Sequence, residues 1–526
     1  MKIINLFILL FLVFVLTFCN NIKQTNKIPD NVKIMLDSAK SNKQELLKVI
    51  NHYNKNASDS LKLKAAYFLI SNMYQQAYYK AKLVDTNKTR VDFNVLDYPN
   101  YKTMVSAWDS IENKIGDIDY VRDTIIYDLQ YIKSNYLIKN IDLAFKAWQK
   151  PWARFLNFNE FCEYILPYRS TNEPIEDWRE KLYNKYLWVD DSVKDKTNPV
   201  EAAIFINNDL KSWYKFDARF YRHPTDLGID EMMKYKMGRC EDMTNLAIYA
   251  MRSQGIPVMS DYTPAWPNTG NNHAWNAIID KNHKVIIFMG GEFNPYDYKL
   301  DNKKSKVYRK TFAIQEKSLA KIAPKYEKLP GWLASSHYID VTKDYIPVAD
   351  IKLKLTEQKP DSVHFAYICV FNSGEWKAIH WSKIYDDNTV NFTDMGNDIA
   401  YLVAYYKNNK LIPAANQFIF TKDNKIKYLI PDTINKQTIK LYSTTKRKIV
   451  KTTDEIEQIN LDNETTYELS YWNKKWIKLG EQKSTNNKPL IFKDVPKNAL
   501  FWLVKKDSNK EERIFTIDKD GNQKWW

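Results

Sequence analysis

A run of fourteen residues, AYICVFNSGEWKAI at 366–379, returns one hundred positions later as TYELSYWNKKWIKL at 466–479. The pairs Tyr367/Tyr467, Phe371/Tyr471 and Trp376/Trp476 fall in register. The same offset pairs Phe392 with Phe492, Asp394 with Asp494 and Tyr401 with Phe501. FIFTKDNK (418–425) then echoes RIFTIDKDGN (513–522), and DIKLKL (350–355) echoes TIKLYS (438–443). Each block alternates apolar and polar residues over a short run between Asn, Asp and Lys turns, which is the period of a strand. Matched blocks in one order predict two tandem all-β, sandwich-like repeats of about 90 residues. They occupy 341–434 and 435–526, with a boundary near Pro431 to Gln437.

The remaining chain divides further, since 526 residues exceed one ordinary domain. Residues 31–209 read as helical. In 58–84, Leu61, Ala65, Phe68, Leu69 and Met73 stand at helical spacing, and DWREKLYNKYLWV and PVEAAIFINNDLKSWY repeat the pattern. Cys162 lies in an apolar patch and reads as a small buried hydrophobe. Residues 210–340 change from helical to strand periodicity, as an α+β domain does. The net charge of +15 comes from dispersed Lys, which describes a solvated basic surface and not a nucleic-acid arm. Twelve Gly in the whole chain leave no Gly-rich phosphate loop, and no metal-ligand spacing occurs.

The N-terminus is a basic start, an apolar run NLFILLFLVFVLTF and then Cys19. That order makes residues 1–18 a secretory signal and predicts export. A Cys directly after the apolar run resembles a bacterial lipoprotein signal, with LTFC in the place of the lipobox. The resemblance implies a lipid on Cys19, a flexible tether over 19–30, and a place at the outer membrane or cell surface, or else in the periplasm or medium.

One stretch carries chemistry. CEDMTNLAIYAMRSQG sets Met243, Leu246, Ala247, Ala250 and Met251 on one face of a helix, with Gly255 as C-cap and Pro257 as stop. Cys240 therefore opens the helix, where unpaired N–H groups and the macrodipole favour a thiolate with a lowered pKa. After a loop, TPAWPNTGNN, the run HAWNAII forms a strand that begins at His273. DKNH turns it into KVIIFM, and the hairpin ends in GGEFNPYD. The two hairpin ends are neighbours, so an acid or amide near Glu292 can orient the imidazole.

Cys at a helix start, Gly-Ile-Pro after that helix and His-x-Trp on a strand resemble the transglutaminase-like superfamily, over about Gly238 to Pro295. The resemblance implies a papain-like α+β fold with a Cys-His-Asp triad, in which Cys240 is nucleophile and His273 base. No Asp stands where the family places its third member. Glu292 is the first choice for that role and Asn294, before Pro295, the second; Asp297 and Asp280 follow. The expected activity is acyl transfer through a thioester, with no cofactor, acting as a peptidase or amidase on a protein, peptide or glycoprotein. The alternative is a non-catalytic surface protein that binds glycan or protein and uses the domain as scaffold. Trp376, Trp381, Trp472, Trp476, Trp525 and Trp526 either fill sandwich cores or hold a polymeric substrate near the site.

Overall fold

The computed structural model describes residues 27–445, 460–485, 488–506 and 512–526. The expected signal segment, 1–18, and Cys19 lie outside them. Helices α1 (Asp30–Ser38), α2 (Lys43–Tyr53) and α3 (Ser60–Ser71) open the fold. The helical spacing read across 58–84 ends at Ser71, and Leu61, expected on the buried face, is 43% exposed. Gln75 then takes a positive φ of 66°, and AYYKAKLV forms strand β1 (Ala77–Val84). Its Tyr-rich alternation suits a strand once the chain has turned. Beyond α4 (Tyr101–Ile115), strand β2 (Asp119–Tyr127) returns to pair antiparallel with β1.

Among the helices that follow are α5 (Ser134–Trp148), α6 (Phe158–Tyr164), α7 (Trp178–Lys185) and α8 (Pro199–Trp213). Asn157 and Asn198 cap α6 and α8 with their side-chain oxygens, and Pro199 occupies the first helical position of α8. Cys162 on α6 is buried and unpaired, as its apolar surroundings suggest.

Helix α9 (Cys240–Ser253) is the centre of the molecule. It ends in a Schellman motif: the Ile256 N–H bonds the Met251 carbonyl at 3.0 Å and the Gly255 N–H the Arg252 carbonyl at 3.1 Å. Gly255 has φ 73°, and a Cβ there would stand 2.2 Å from the Ala147 carbonyl oxygen. The sequence predicts one buried face; instead every residue from Asp242 to Ser253 is buried. Helices α5, α7 and α8 cover the side of α9 that a smaller domain would leave to solvent. A five-stranded antiparallel sheet covers the other side. Its members are β3 (Val258–Thr263), β4 (His273–Ile279), β5 (Val285–Phe288), β6 (Tyr308–Lys310) and β7 (Tyr338–Asp340), in the order β5-β4-β3-β6-β7. One hydrophobic core runs from Val32 to Val341, so the N-terminal helices and this sheet share α9.

The β-rich region repeats one topology. The first module has strands β8 (Ala349–Lys354), β9 (Phe365–Asn372), β10 (Glu375–Lys383), β11 (Thr389–Met395), β12 (Ile399–Lys407), β13 (Phe418–Phe420) and β14 (Ile426–Tyr428). They form a sheet β10-β9-β12-β13-β14, to which the short strand Lys410–Pro413 adds by pairing with β12, and a ribbon β8-β11. The second has β15 (Asp432–Leu441), β16 (Thr466–Trp472), β17 (Trp476–Lys483), β18 (Leu490–Lys497), β19 (Phe501–Lys505), β20 (Ile514–Ile517) and β21 (Gln523–Trp525). Its sheet β17-β16-β19-β20-β21 and ribbon β15-β18 repeat the first arrangement. Asp394 and Asp494 both adopt left-handed backbone, φ 52° and 56°, which Asp tolerates better than most residues. That conformation gives a physical reason for the same residue at both positions. The outer face of the first module's sheet joins a cluster with Tyr308 and Leu333 of the central domain and Trp472, Leu500 and Trp526 of the second module.

Candidate active site

The start of α9 is fixed from below. The Arg239 N–H bonds Asp242 Oδ2 at 3.0 Å, and the Leu227 N–H bonds Asp242 Oδ1 at 2.9 Å. Burial, with the Asp226 carboxylate beside it, pushes the Asp242 carboxyl up to about 7. The Arg239 guanidinium pairs with Asp226, which also accepts from the Thr171 hydroxyl at 2.9 Å.

Cys240 is half-buried at the first position of the helix. The backbone N–H groups of Ala274 and Glu241 lie near enough to its sulfur to favour the thiolate. Strand β4 packs along α9, which places the starts of both, and so Cys240 and His273, on one cleft. The thiol is not lowered as a helix N-terminus alone would make it. Burial pushes it up to about 11 and the Glu241 carboxylate adds to this, against the two N–H groups and Arg239.

His273 opens β4 beside two stacked indoles, with ring centroids 6.2 Å from Trp266 and 5.8 Å from Trp275. Burial lowers its pKa. Its Nε2 lies 2.7 Å from the Tyr298 hydroxyl, and in the tautomer in which Nε2–H donates to that oxygen, Nδ1 is the nitrogen free to take a proton. Strand β4 is held behind it by a buried relay. Trp275 Nε1 donates to the Tyr345 hydroxyl at 2.9 Å, and that hydroxyl donates to Asp261, which the Arg309 guanidinium grips with two bonds of 2.8 Å.

Neither choice for the third member reaches the imidazole. The chain turns sharply at Gly290 and Gly291 (φ 72°) where it lies close on α9, and the turn faces Glu292 to solvent. The Asn294 side chain bonds Asn207 and Asn208 of α8 instead, each at 2.9 Å. Asp280 is occupied in the β4–β5 turn by the N–H groups of Asn282 and Lys284, and Asp297 is exposed. Tyr298 takes the place that an acid was expected to fill. The sequence holds no spacing signal for it; only an aromatic residue in a polar loop marks the position.

The loop 264–272 before His273 is braced from outside its own domain, which sequence reasoning also missed. Asn372, in the β9–β10 hairpin, donates to the carbonyls of Trp266, Thr269 and Asn271 at 2.9, 3.0 and 2.9 Å. Arg513 of the second module reaches the carbonyls of Pro267 and Thr269. Cys240 and His273 open onto a cleft of about 720 Å³, walled by Arg239, Lys310, Trp332, His337 and the β1–β2 pair with Tyr79 and Arg122. Among the described residues no His, Cys, Asp and Glu cluster is arranged to hold a metal. A half-buried thiol at a helix start, lining one cleft with a neutral imidazole, can attack a carbonyl while the imidazole takes its proton.

Residues 187–288 match the family model of the transglutaminase-like superfamily. The matched span includes Cys240 and His273 and stops short of Glu292, Asn294 and Tyr298. Among solved structures, a protein of Cytophaga hutchinsonii described as a candidate cysteine protease is similar over 22% of this chain, at 15% identity and a TM-score of 0.19. The similarity covers 38% of that protein's chain. No curated protein matches the sequence.

Proposed function

We propose, from the transglutaminase-like domain at 187–288, that the cleft is a cysteine acyl-transfer site that hydrolyses peptide or amide bonds in proteins, peptides or glycoproteins. The observation that carries this reading is that Cys240, at the start of α9, and His273, at the start of β4, line one cleft. Cys240 Sγ attacks the carbonyl carbon as its proton passes to His273 Nδ1. The S–C bond forms, and the carbonyl electron pair moves onto oxygen. The Cys240 N–H, first in α9 and without an intrahelical acceptor, is available to that oxyanion at the positive end of the helix. Collapse breaks the C–N bond, and the leaving amine takes the proton from His273. Water then attacks the thioester and gives a proton to His273. The S–C bond breaks, and the proton returns to the sulfur.

Turnover of a protein substrate in ¹⁸O-labelled water tests hydrolysis against transfer. Each new carboxylate is expected to carry one ¹⁸O by mass spectrometry, and added primary amine should not replace it. Amide products would make the enzyme a transferase. Absence of cleavage together with absence of any acyl adduct on Cys240 would leave the domain a scaffold. The N-terminal segment supports export, with Cys19 as lipid anchor at the outer membrane or cell surface.

Tyr298→Phe is expected to lower kcat/KM about three- to tenfold, near the ~1 kcal/mol of one neutral hydrogen bond. Burial holds the phenol well above its ordinary pKa, so it orients His273 without lending the imidazolium a negative charge. A loss approaching the ~10⁴-fold seen when a triad carboxylate is removed would contradict this neutral role.

A further inference from the structure

Two fully buried amides, Asn276 and Asn207, tie together the elements that carry Cys240, His273 and Tyr298. Asn276 lies on β4, three residues after His273, with β3 on one side and β5 on the other. Its Nδ2 donates to the Thr244 carbonyl at 3.1 Å, one turn into α9 from Cys240. Its Oδ1 accepts from the Gly290 N–H at 3.0 Å, at the head of the segment that leads to Tyr298. From the strand that opens at the base, one side chain thus bonds both the helix that opens at the nucleophile and the turn that delivers the phenol. A Cβ on residue 290 would stand 3.0 Å from this Oδ1 and 2.5 Å from the Ala247 Cβ, so the glycine admits the contact.

Asn207, on α8, holds the same segment further along. Its Oδ1 accepts from the Gly291 N–H at 2.8 Å, and its Nδ2 donates to the Phe293 carbonyl at 3.1 Å and to Asn294 Oδ1 at 2.9 Å. The segment then closes on itself. Met289 and Phe293 exchange two backbone bonds of 3.0 Å, the Asp297 N–H bonds the Asn294 carbonyl at 3.1 Å, and the Phe293 ring lies 5.7 Å from that of Tyr298. Tyr298 therefore leaves a braced turn. Apolar packing of α9 on β4 is non-directional, whereas an amide bonded at both ends fixes the position of each partner. The role at 276 needs a donor and an acceptor on one short side chain. Leu would fill the space without either bond, and Asp would set a second acceptor against the Thr244 carbonyl.

We infer that Asn276, backed by Asn207, is a positioning residue: it fixes β4 and the segment 290–298 against α9 so that the Tyr298 hydroxyl meets the His273 ring. The inference rests on the acyl-transfer reading only for its kinetic arm. The test reads the His273 ring by ¹⁵N NMR of the histidine-labelled full chain, with His273→Ala assigning the signals. Wild type is expected to hold the Nε2–H tautomer, and Tyr298→Phe to give a mixture of the two. Asn276→Ser and Asn207→Ser should give the same mixture. In turnover, Asn276→Ser should lower kcat about tenfold with KM unchanged, and adding Tyr298→Phe should lower it no further. Asn294→Ala, at a half-buried position, removes one of the Asn207 bonds and guards against buried variants that do not fold; it should shift the tautomers in the same direction by less. An unmoved ring in folded Asn276→Ser, or in Asn294→Ala where neither buried variant folds, overturns the inference. So do losses in kcat that multiply in the double variant, which would mean that Asn276 acts apart from Tyr298. Tautomers that shift as expected in a chain without any turnover would sink the catalytic reading and leave the positioning role standing; turnover with an unmoved ring would do the reverse.

Discussion

Cys240→Ala is expected to remove turnover, by about 10³-fold or more, with little change in thermal unfolding, and His273→Ala is expected to match it. The two act on one step, so the double variant should lose no more than either alone. The resting pair determines how the nucleophile responds to pH. Burial holds the Cys240 thiol up to about 11 and lowers His273, so both are neutral near pH 7. Against an ordinary thiol at 9.0, Cys240 has roughly 100-fold less thiolate at neutral pH. The more basic thiolate regains about tenfold in intrinsic nucleophilicity. Iodoacetamide should therefore label Cys240 about tenfold more slowly than a free thiol at pH 7. The rate should climb about tenfold per pH unit toward pH 11. On the acid side kcat/KM should fall only below about pH 6.5, since a lowered imidazole stays a competent base to lower pH. Fast labelling that is flat from pH 5 to 8 would mean a preformed thiolate–imidazolium pair and would contradict general-base attack.

The elements of this site are more legible in the sequence than its contacts. Helix α9 follows from its apolar spacing and its Gly255 cap, and β4 and β5 follow from alternation on either side of a polar turn. These features depend on neighbours in sequence, where periodicity and capping operate. The repeat could be read because its conserved shape reuses the same aromatic positions and even the same left-handed Asp. What failed was non-local. Gly290 and Gly291 divert the chain so that Glu292 misses His273, and that turn depends on close approach to Ala247 and Met243 of α9. Asn207 holds the same turn from α8 through the Gly291 N–H at 2.8 Å. A thiolate stabilised at the helix start also seemed to follow from local rules, but desolvation by α9's surroundings outweighs the local dipole. The strand β1 was hidden inside a helical-looking run because β2, its partner, lies some forty residues further on.

Arg513→Ala is expected to be the most disruptive change far from the nucleophile. The guanidinium is buried and bonds the Phe371 carbonyl at 2.8 Å and the Trp526 main-chain oxygen at 2.7 and 3.1 Å, besides Thr269 at 3.4 Å and Pro267. It thus ties both β modules to the loop that delivers His273. A charged donor bonded to carbonyls contributes ~1.5–3 kcal/mol per bond, and its removal leaves buried oxygens unpaired. The sum is not additive, and a loss of ~3–5 kcal/mol is expected by denaturant unfolding. At temperatures where the variant remains folded, kcat should still fall about tenfold or more with KM for a short substrate unchanged, because the loop that sets the imidazole is loosened while the cleft wall is not. Asn372→Ala, which cuts the same loop from the first module, should give the same kcat pattern with a smaller loss of stability. If Arg513→Ala destabilised the chain and left kcat intact, the β modules would brace the fold without positioning His273.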